Sequence, residues 1–229
     1  MILKRNRLPS LFATLLALTA FGHAARADVS GLFFGVNGGK ARIDTDYALY
    51  QRQQQDAAAE FGSLIFTKAS LSNRRTAWWV ETGYMVWPYV GIEASYLQLG
   101  KMNNEVAGTY TPTGGTAKDV RAATAIYSRG PALGFVFRLP LAENIDIHFR
   151  VADYFGRSML TNTLIVATTT SSTVTKNSSS PLLGLGAAYT VGGHWSAKID
   201  YTRIQGANIG TTDVKYNVDM LSAGVAYTF

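Results

Sequence analysis

The chain has 229 residues, of which 47% are hydrophobic and 12% aromatic, and it contains no cysteine, which excludes disulfide bonds and thiolate metal sites. It carries 21 bases against 15 acids, but Lys4, Arg5, Arg7 and Arg26 lie in the first 27 residues, leaving 17 against 15, or about +2. That balance shows no clustered basic face, so no nucleic-acid partner is expected.

The basic start is followed by an apolar run from Leu11 to Phe21 and by Ala25-Arg26-Ala27 ahead of Asp28. A basic head, a short apolar centre and a small-residue cleavage site identify residues 1–27 as a signal peptide. The run falls short of the ~20 residues a membrane-spanning helix needs. No later run approaches that length, so a mature part (28–229) that spans a membrane would do so as a closed barrel.

Residues of alternating character define eight strands in chain order. The first begins near Leu32, with Phe34 and Val36 opposite Gly35 and Asn37. A long polar segment near 44–76 follows, in which Gln51 to Gln55 and Ala57 to Ala59 suggest a short helix. Trp78, Val80, Thr82 and Tyr84 then face away from Trp79, Glu81, Gly83 and Met85, and a short turn at Val86-Trp87-Pro88 leads to Val90, Ile92, Ala94 and Tyr96 against Gly91, Glu93 and Ser95. A second polar segment, near 100–124, precedes Leu133, Phe135, Phe137 and Leu139. The turn at 140–144 precedes Ile145, Ile147, Phe149 and Val151 against Asp146, His148 and Arg150. The third polar segment, near 159–180, ends in a Thr- and Ser-rich tract (167–180) expected to be a mobile solvated loop. Leu183, Leu185, Ala187 and Tyr189 alternate with Gly184, Gly186 and Ala188, and Val191-Gly192-Gly193-His194 turns the chain into Trp195, Ala197, Ile199 and Tyr201 against Ser196, Lys198, Asp200 and Thr202. After a polar segment near 205–217, alternation runs from Leu221 to Phe229. Short turns alternating with long loops match an outer-membrane barrel, with short periplasmic turns and longer extracellular loops.

A soluble eight-stranded barrel would alternate too; size separates the two. An eight-stranded barrel has an interior only just wide enough for its side chains, and the aromatic face (Phe34, Tyr84, Tyr96, Phe135, Phe137, Phe149, Tyr189, Trp195, Tyr201, Tyr227 and Phe229) would overfill it. The aromatic face therefore points outward. The opposite face, mostly Gly, Ala and Ser with a few charges, is expected to form a tight polar lumen. Trp87, Trp195, Tyr227 and Phe229 are expected to form an aromatic girdle beside the short turns. By parity the lumen receives Glu81, Glu93, Arg138, Asp146, His148, Arg150, Lys198 and Asp200, charges that must pair in a narrow space.

Several fragments together resemble the transmembrane domain of the outer membrane protein A family. They are Gly83-Tyr84, Pro88-Tyr89-Val90-Gly91-Ile92-Glu93, Asp146-Ile147 with Arg150, Ser180-Pro181 with Gly186 and Tyr189, Asp200-Tyr201, Asn208-Ile209-Gly210 and the terminal run Leu221 to Phe229. The resemblance implies an all-β, eight-stranded antiparallel up-and-down barrel. It also implies a lumen charge network or gate formed from Glu93, Arg138, Lys198, Arg150, Glu81 and Asp200, in which the acid Glu93 pairs with Arg138 and Lys198. The sequence departs at Ala188, where the family pattern carries a further acid. The chain stops at Phe229, so the peptidoglycan-binding domain of many members is not carried over. Tyr227 and Phe229 resemble the terminal signal read by the barrel-assembly machinery.

The expected function is structural: contribution to the envelope and display of surface loops, with outer-membrane lipid and lipopolysaccharide around the barrel and host or phage contacts at its loops. A narrow pore or lateral conduit for small solutes is the alternative, and a lipid-modifying enzyme is less favoured. His194-Trp195-Ser196 superficially resembles a deacylase motif, but it lies in a periplasmic turn, and three histidines in the precursor, one of them His23, supply little for a hydrolytic triad. No cofactor or metal is expected.

Overall fold

The computed structural model describes residues 31–45, 62–72, 74–165, 169–208 and 215–229. These form nine strand segments: β1 (Leu32–Thr45), β2 (Gly62–Ser72), β3 (Arg74–Trp87), β4 (Val90–Pro112), β5 (Lys118–Ala142), β6 (Ile145–Ile165), β7 (Thr169–Val191), β8 (Trp195–Asn208) and β9 (Lys215–Thr228). Among the described residues no helix is long and apolar enough to cross a membrane. Strands β3, β4, β5, β6, β7, β8, β9 and β1 pair antiparallel in that order, and β1 returns to β3, so the sheet closes into a ring of eight. The closing seam sets Val36 opposite both Val80 and Val225. At its lower end the Phe229 amide donates to the Leu32 carbonyl at 2.9 Å. Segment β2 lies just before β3 in the chain and continues its pairing with β4, from Ser72 opposite Asn103 to Gly62 opposite Pro112.

The polar segments take a different form from the one the sequence suggests. Residues 100–112 and 118–124 belong to β4 and β5, joined by a turn at 113–117 in which Gly114 adopts a φ of +75°. The Thr- and Ser-rich tract is strand as well: Thr169 to Ser180 pair with Ile165 to Tyr154 of β6. Part of the first polar segment is β2, while the suggested helix at 51–59 lies outside the described residues. The reason is physical. A strand projecting beyond the membrane has water on its outer side, so its residues need not alternate in polarity, and β-branched Thr suits an extended backbone. Among the described residues, the segments 100–124 and 159–180 are therefore tall hairpins. A membrane strand takes about 9–11 residues, whereas β4 to β7 have 23, 25, 21 and 23. With β2 they raise one side of the barrel into a high wall, whereas β1, β8 and β9 have 14 described residues each.

Inward-facing residues are buried without a membrane around them, whereas Phe34, Tyr84, Ile92, Leu133, Phe135, Leu185, Tyr189, Trp195, Ile199 and Leu221 remain exposed on the outer wall. The aromatic face is thus outside, as the size argument requires.

Candidate functional site

Strand parity brings Glu81, Glu93, Arg150, Lys198, Asp200 and His148 into one buried layer of the barrel interior. Arg150 is its centre. Its Nη2 lies 2.9 Å from Glu81 Oε2, its Nε 2.7 Å from Glu93 Oε1 and its Nη1 3.7 Å from Asp200 Oδ1. The planar guanidinium is suited to this work because it offers several donors in a fixed fork and stays charged when buried. Lys198 Nζ donates to Glu81 Oε1, and His148 Nε2 stands 2.5 Å from Asp200 Oδ1. Each of the three carboxylates thus meets a basic group.

Space for these side chains comes from glycine on the neighbouring strands. A Cβ at Gly35 would lie 2.7 Å from Glu81 Oε1, and one at Gly186 would lie 2.4 Å from His148 Nε2 and 2.7 Å from Asp200 Oδ1. The small residues of the inner face therefore make room for long charged chains and do not line an open channel.

The pairing differs from the one implied by resemblance. Glu93 pairs with Arg150, where Arg138 and Lys198 were the expected partners; Lys198 is taken by Glu81. Arg138 sits lower and half-buried, its guanidinium 5.2 Å from the centre of the Phe33 ring. Register explains the change. Arg150 lies opposite Val136 on β5, one inward position further from the short turns than Arg138, which lies opposite His148. Ala188, Arg138, His148, Lys198, Glu93 and Asp146 are among the residues bordering a cavity of about 20 Å³, room for one water molecule. Ala188 offers no carboxylate to Lys198 or Arg138 there.

The rest of the interior is more apolar than the small residues suggest, although Asn37, Ser180, Thr202 and Ser222 are buried there as well. Below the charges, Phe33, Met85 and Val136 pack together toward the short turns. Above them Trp79, Leu97, Leu99, Met102, Ile126, Tyr154, Leu160, Leu182, Ile204, Tyr216, Val218 and Met220 form an apolar cluster. Trp79 joins the two layers, packing in the cluster while its Nε1 donates to Glu81 Oε2 at 3.1 Å. Within the cluster Ser128, Tyr154, Ser158 and Tyr216 satisfy one another through hydroxyl contacts of 2.8 to 3.2 Å. Continuing the even parity of Ser222 back to Met220 and Val218 would have found part of this cluster. On β4, however, parity reverses at Gly100, whose φ of +78° accompanies a bulge between Gln98 and Lys101, so that Leu99 and Met102 both point inward.

At the end of the barrel that carries the short turns, Tyr227 packs edge-on against Trp195 and Phe229, each at 5.0 Å, and stacks with His194 at 5.5 Å. His194 Nδ1 lies 2.8 Å from the Thr228 carbonyl oxygen. Trp87 is exposed at the β3–β4 turn. His194 of the deacylase-like tripeptide is thus engaged with the chain terminus.

No reviewed protein sequence shows significant similarity to the chain. Among solved structures it is similar to the attachment invasion locus protein Ail of Yersinia pestis in complex with the heparin analogue sucrose octasulfate (11% identity, 88% of this chain and 100% of that one, TM-score 0.45). It is also similar to Neisserial surface protein A (12%, 87% and 98%, TM-score 0.49) and to the outer membrane protease OmpT of Escherichia coli (9%, 90% and 99%, TM-score 0.47). The sequence profile of the OmpA-like transmembrane domain matches residues 27–229. With a ring of eight antiparallel strands, an apolar outer wall and a match over nearly the whole chain, this protein belongs to the OmpA-like transmembrane domain family and is an outer-membrane β-barrel protein.

Proposed function

We propose that the protein is a closed structural barrel that contributes to the integrity of the bacterial outer membrane and presents its tall hairpins outside the cell. The observation that carries this reading is the filled interior. Phe33, Met85 and Val136 pack on one side of the Arg150 ion network, and an apolar cluster packs on the other. Solute flow would require both the apolar packing and the buried ion pairs to open, so a narrow pore is the less favoured reading. A non-enzymatic role fits the engagement of His194 with the chain terminus and of His148 with Asp200. Export through the signal peptide 1–27, recognition of Tyr227 and Phe229 by the assembly machinery, and host or phage contact through the hairpins complete the proposal.

Planar-bilayer recording of the purified barrel tests it. Small or rare conductance steps are expected, and a persistent open channel of the wild type would overturn the closed-barrel reading.

A further inference from the structure

The upper border of the apolar outer wall is marked by charge, and the strand pairs along it differ; on β1 and β3, Arg42 stands opposite Arg74 but also opposite Asp219 of β9. On β8 and β9, Arg203 stands opposite Asp219, with Nη1 3.6 Å from Oδ1, and Tyr201 Oη donates to the same oxygen at 2.6 Å. That cation is matched within the protein. On β5 and β6, Arg129 stands directly opposite Arg157, both exposed on the outer face, and neither forms an ion pair among the described residues. Lys101 lies one outward position above, opposite Tyr127, and the Tyr127 ring holds the Arg129 guanidinium 5.7 Å from its centre. The acid on the same face of β6, Asp153, is four residues below Arg157 and opposite Leu133.

Height places the pair. From Leu139 to Arg129 is ten residues, about 33 Å of strand, which a tilt of about 35–45° turns into about 25 Å. This equals the height of the apolar band of an outer-membrane barrel, about 25 Å. Arg129 and Arg157 therefore stand where hydrocarbon gives way to headgroups, beside a tyrosine of the kind that favours this boundary. Like charges directly opposite each other destabilise a β-ladder, and an anion held between them reverses the sign. Guanidinium forks hold phosphate oxygens in paired hydrogen bonds.

We propose that Arg129 and Arg157, with Lys101 above them, bind the phosphate of a phosphorylated glycolipid of the outer leaflet. The inference rests on the reading that the tall hairpins face outward, and it names a lipid partner for that barrel. Native mass spectrometry of the folded mature chain in micelles tests it, with three probes: lipid A bearing both phosphates, the same lipid dephosphorylated, and inorganic phosphate. The wild type is expected to prefer the phosphorylated lipid by about tenfold or more and to lose that preference in high salt. Arg129→Gln/Arg157→Gln is expected to abolish the preference, each single variant to weaken it, and Arg203→Gln to leave it intact. Equal retention of both lipids would overturn the site. So would an unchanged double variant, equal loss in Arg203→Gln, or competition by inorganic phosphate at the lipid's own concentration. Boiled and unboiled samples on a detergent gel separate the two levels of failure. A protein that does not change mobility defeats the membrane reading and the site with it, whereas a shifted protein without lipid preference defeats the site alone.

Discussion

Replacing Arg150 by methionine isolates the centre of the ion network, because methionine approximates the aliphatic stem of arginine and removes the charged guanidinium. The guanidinium faces three carboxylates, two of them within 2.9 Å, and both it and its partners are almost fully buried. At an effective dielectric constant of about 20, each close contact contributes about 6 kcal/mol of attraction, much of it offset by the cost of dehydrating the ions. Removing one member of a buried pair costs about 3–5 kcal/mol, and here Glu93 is left without its cation while Glu81 and Asp200 keep Lys198 and His148. Arg150→Met should therefore lose about 3–5 kcal/mol. Arg138→Met forfeits a half-exposed ring contact worth about 0.5–1 kcal/mol. Urea unfolding of vesicle-inserted protein, followed by tryptophan fluorescence and by the gel mobility of the folded form, gives both values. A double-mutant cycle of Glu93→Gln with Arg150→Met should show coupling of about 0.5–3 kcal/mol, and the cycle of Glu93→Gln with Arg138→Met should be nearly additive. Equal destabilisation by the two methionine variants, or coupling of Glu93 to Arg138 instead of Arg150, would refute the assignment of Arg150 as the network centre.

Gly186→Ala should destabilise by about 1–3 kcal/mol through overpacking, since its Cβ would meet His148 Nε2 and the Ile199 carbonyl oxygen, at 2.4 and 2.6 Å. Gly38→Ala, with nothing within 4 Å of the added carbon, should leave the unfolding midpoint unchanged. Cysteines introduced at Thr116 and Ser172 should react with a membrane-impermeant maleimide on intact cells, and one at Glu143 should not; the reverse pattern would invert the topology. Deleting Phe229 removes the amide that hydrogen-bonds Leu32 across the seam and one ring of the Tyr227 cluster. The yield of heat-modifiable protein in the outer membrane should then fall several-fold while synthesis of the precursor continues.

The period of two in apolar residues, with Gly, Pro or Asn in the short turns, determined the transmembrane staves, their number, and which face meets lipid. These are local properties of an extended chain, whose side chains alternate between two environments, and a ring too narrow for eleven aromatic rings left only one choice of face. Parity also placed Glu81, Glu93, His148, Arg150, Lys198 and Asp200 inside together. It could not say which acid meets which base. That depends on the stagger of neighbouring strands, so Glu93 and Arg150, 57 positions apart, meet while Arg138 rests on Phe33. The hairpins 100–124 and 159–180 carried no alternation because their outer faces are solvated, and only pairing across the ladder reveals them as strands. The apolar cluster around Trp79, Leu99 and Met102 was hidden for a related reason: a bulge at Gly100 reverses the parity of β4, and a reversal of that kind is set by the partner strands, which no reading of one segment contains.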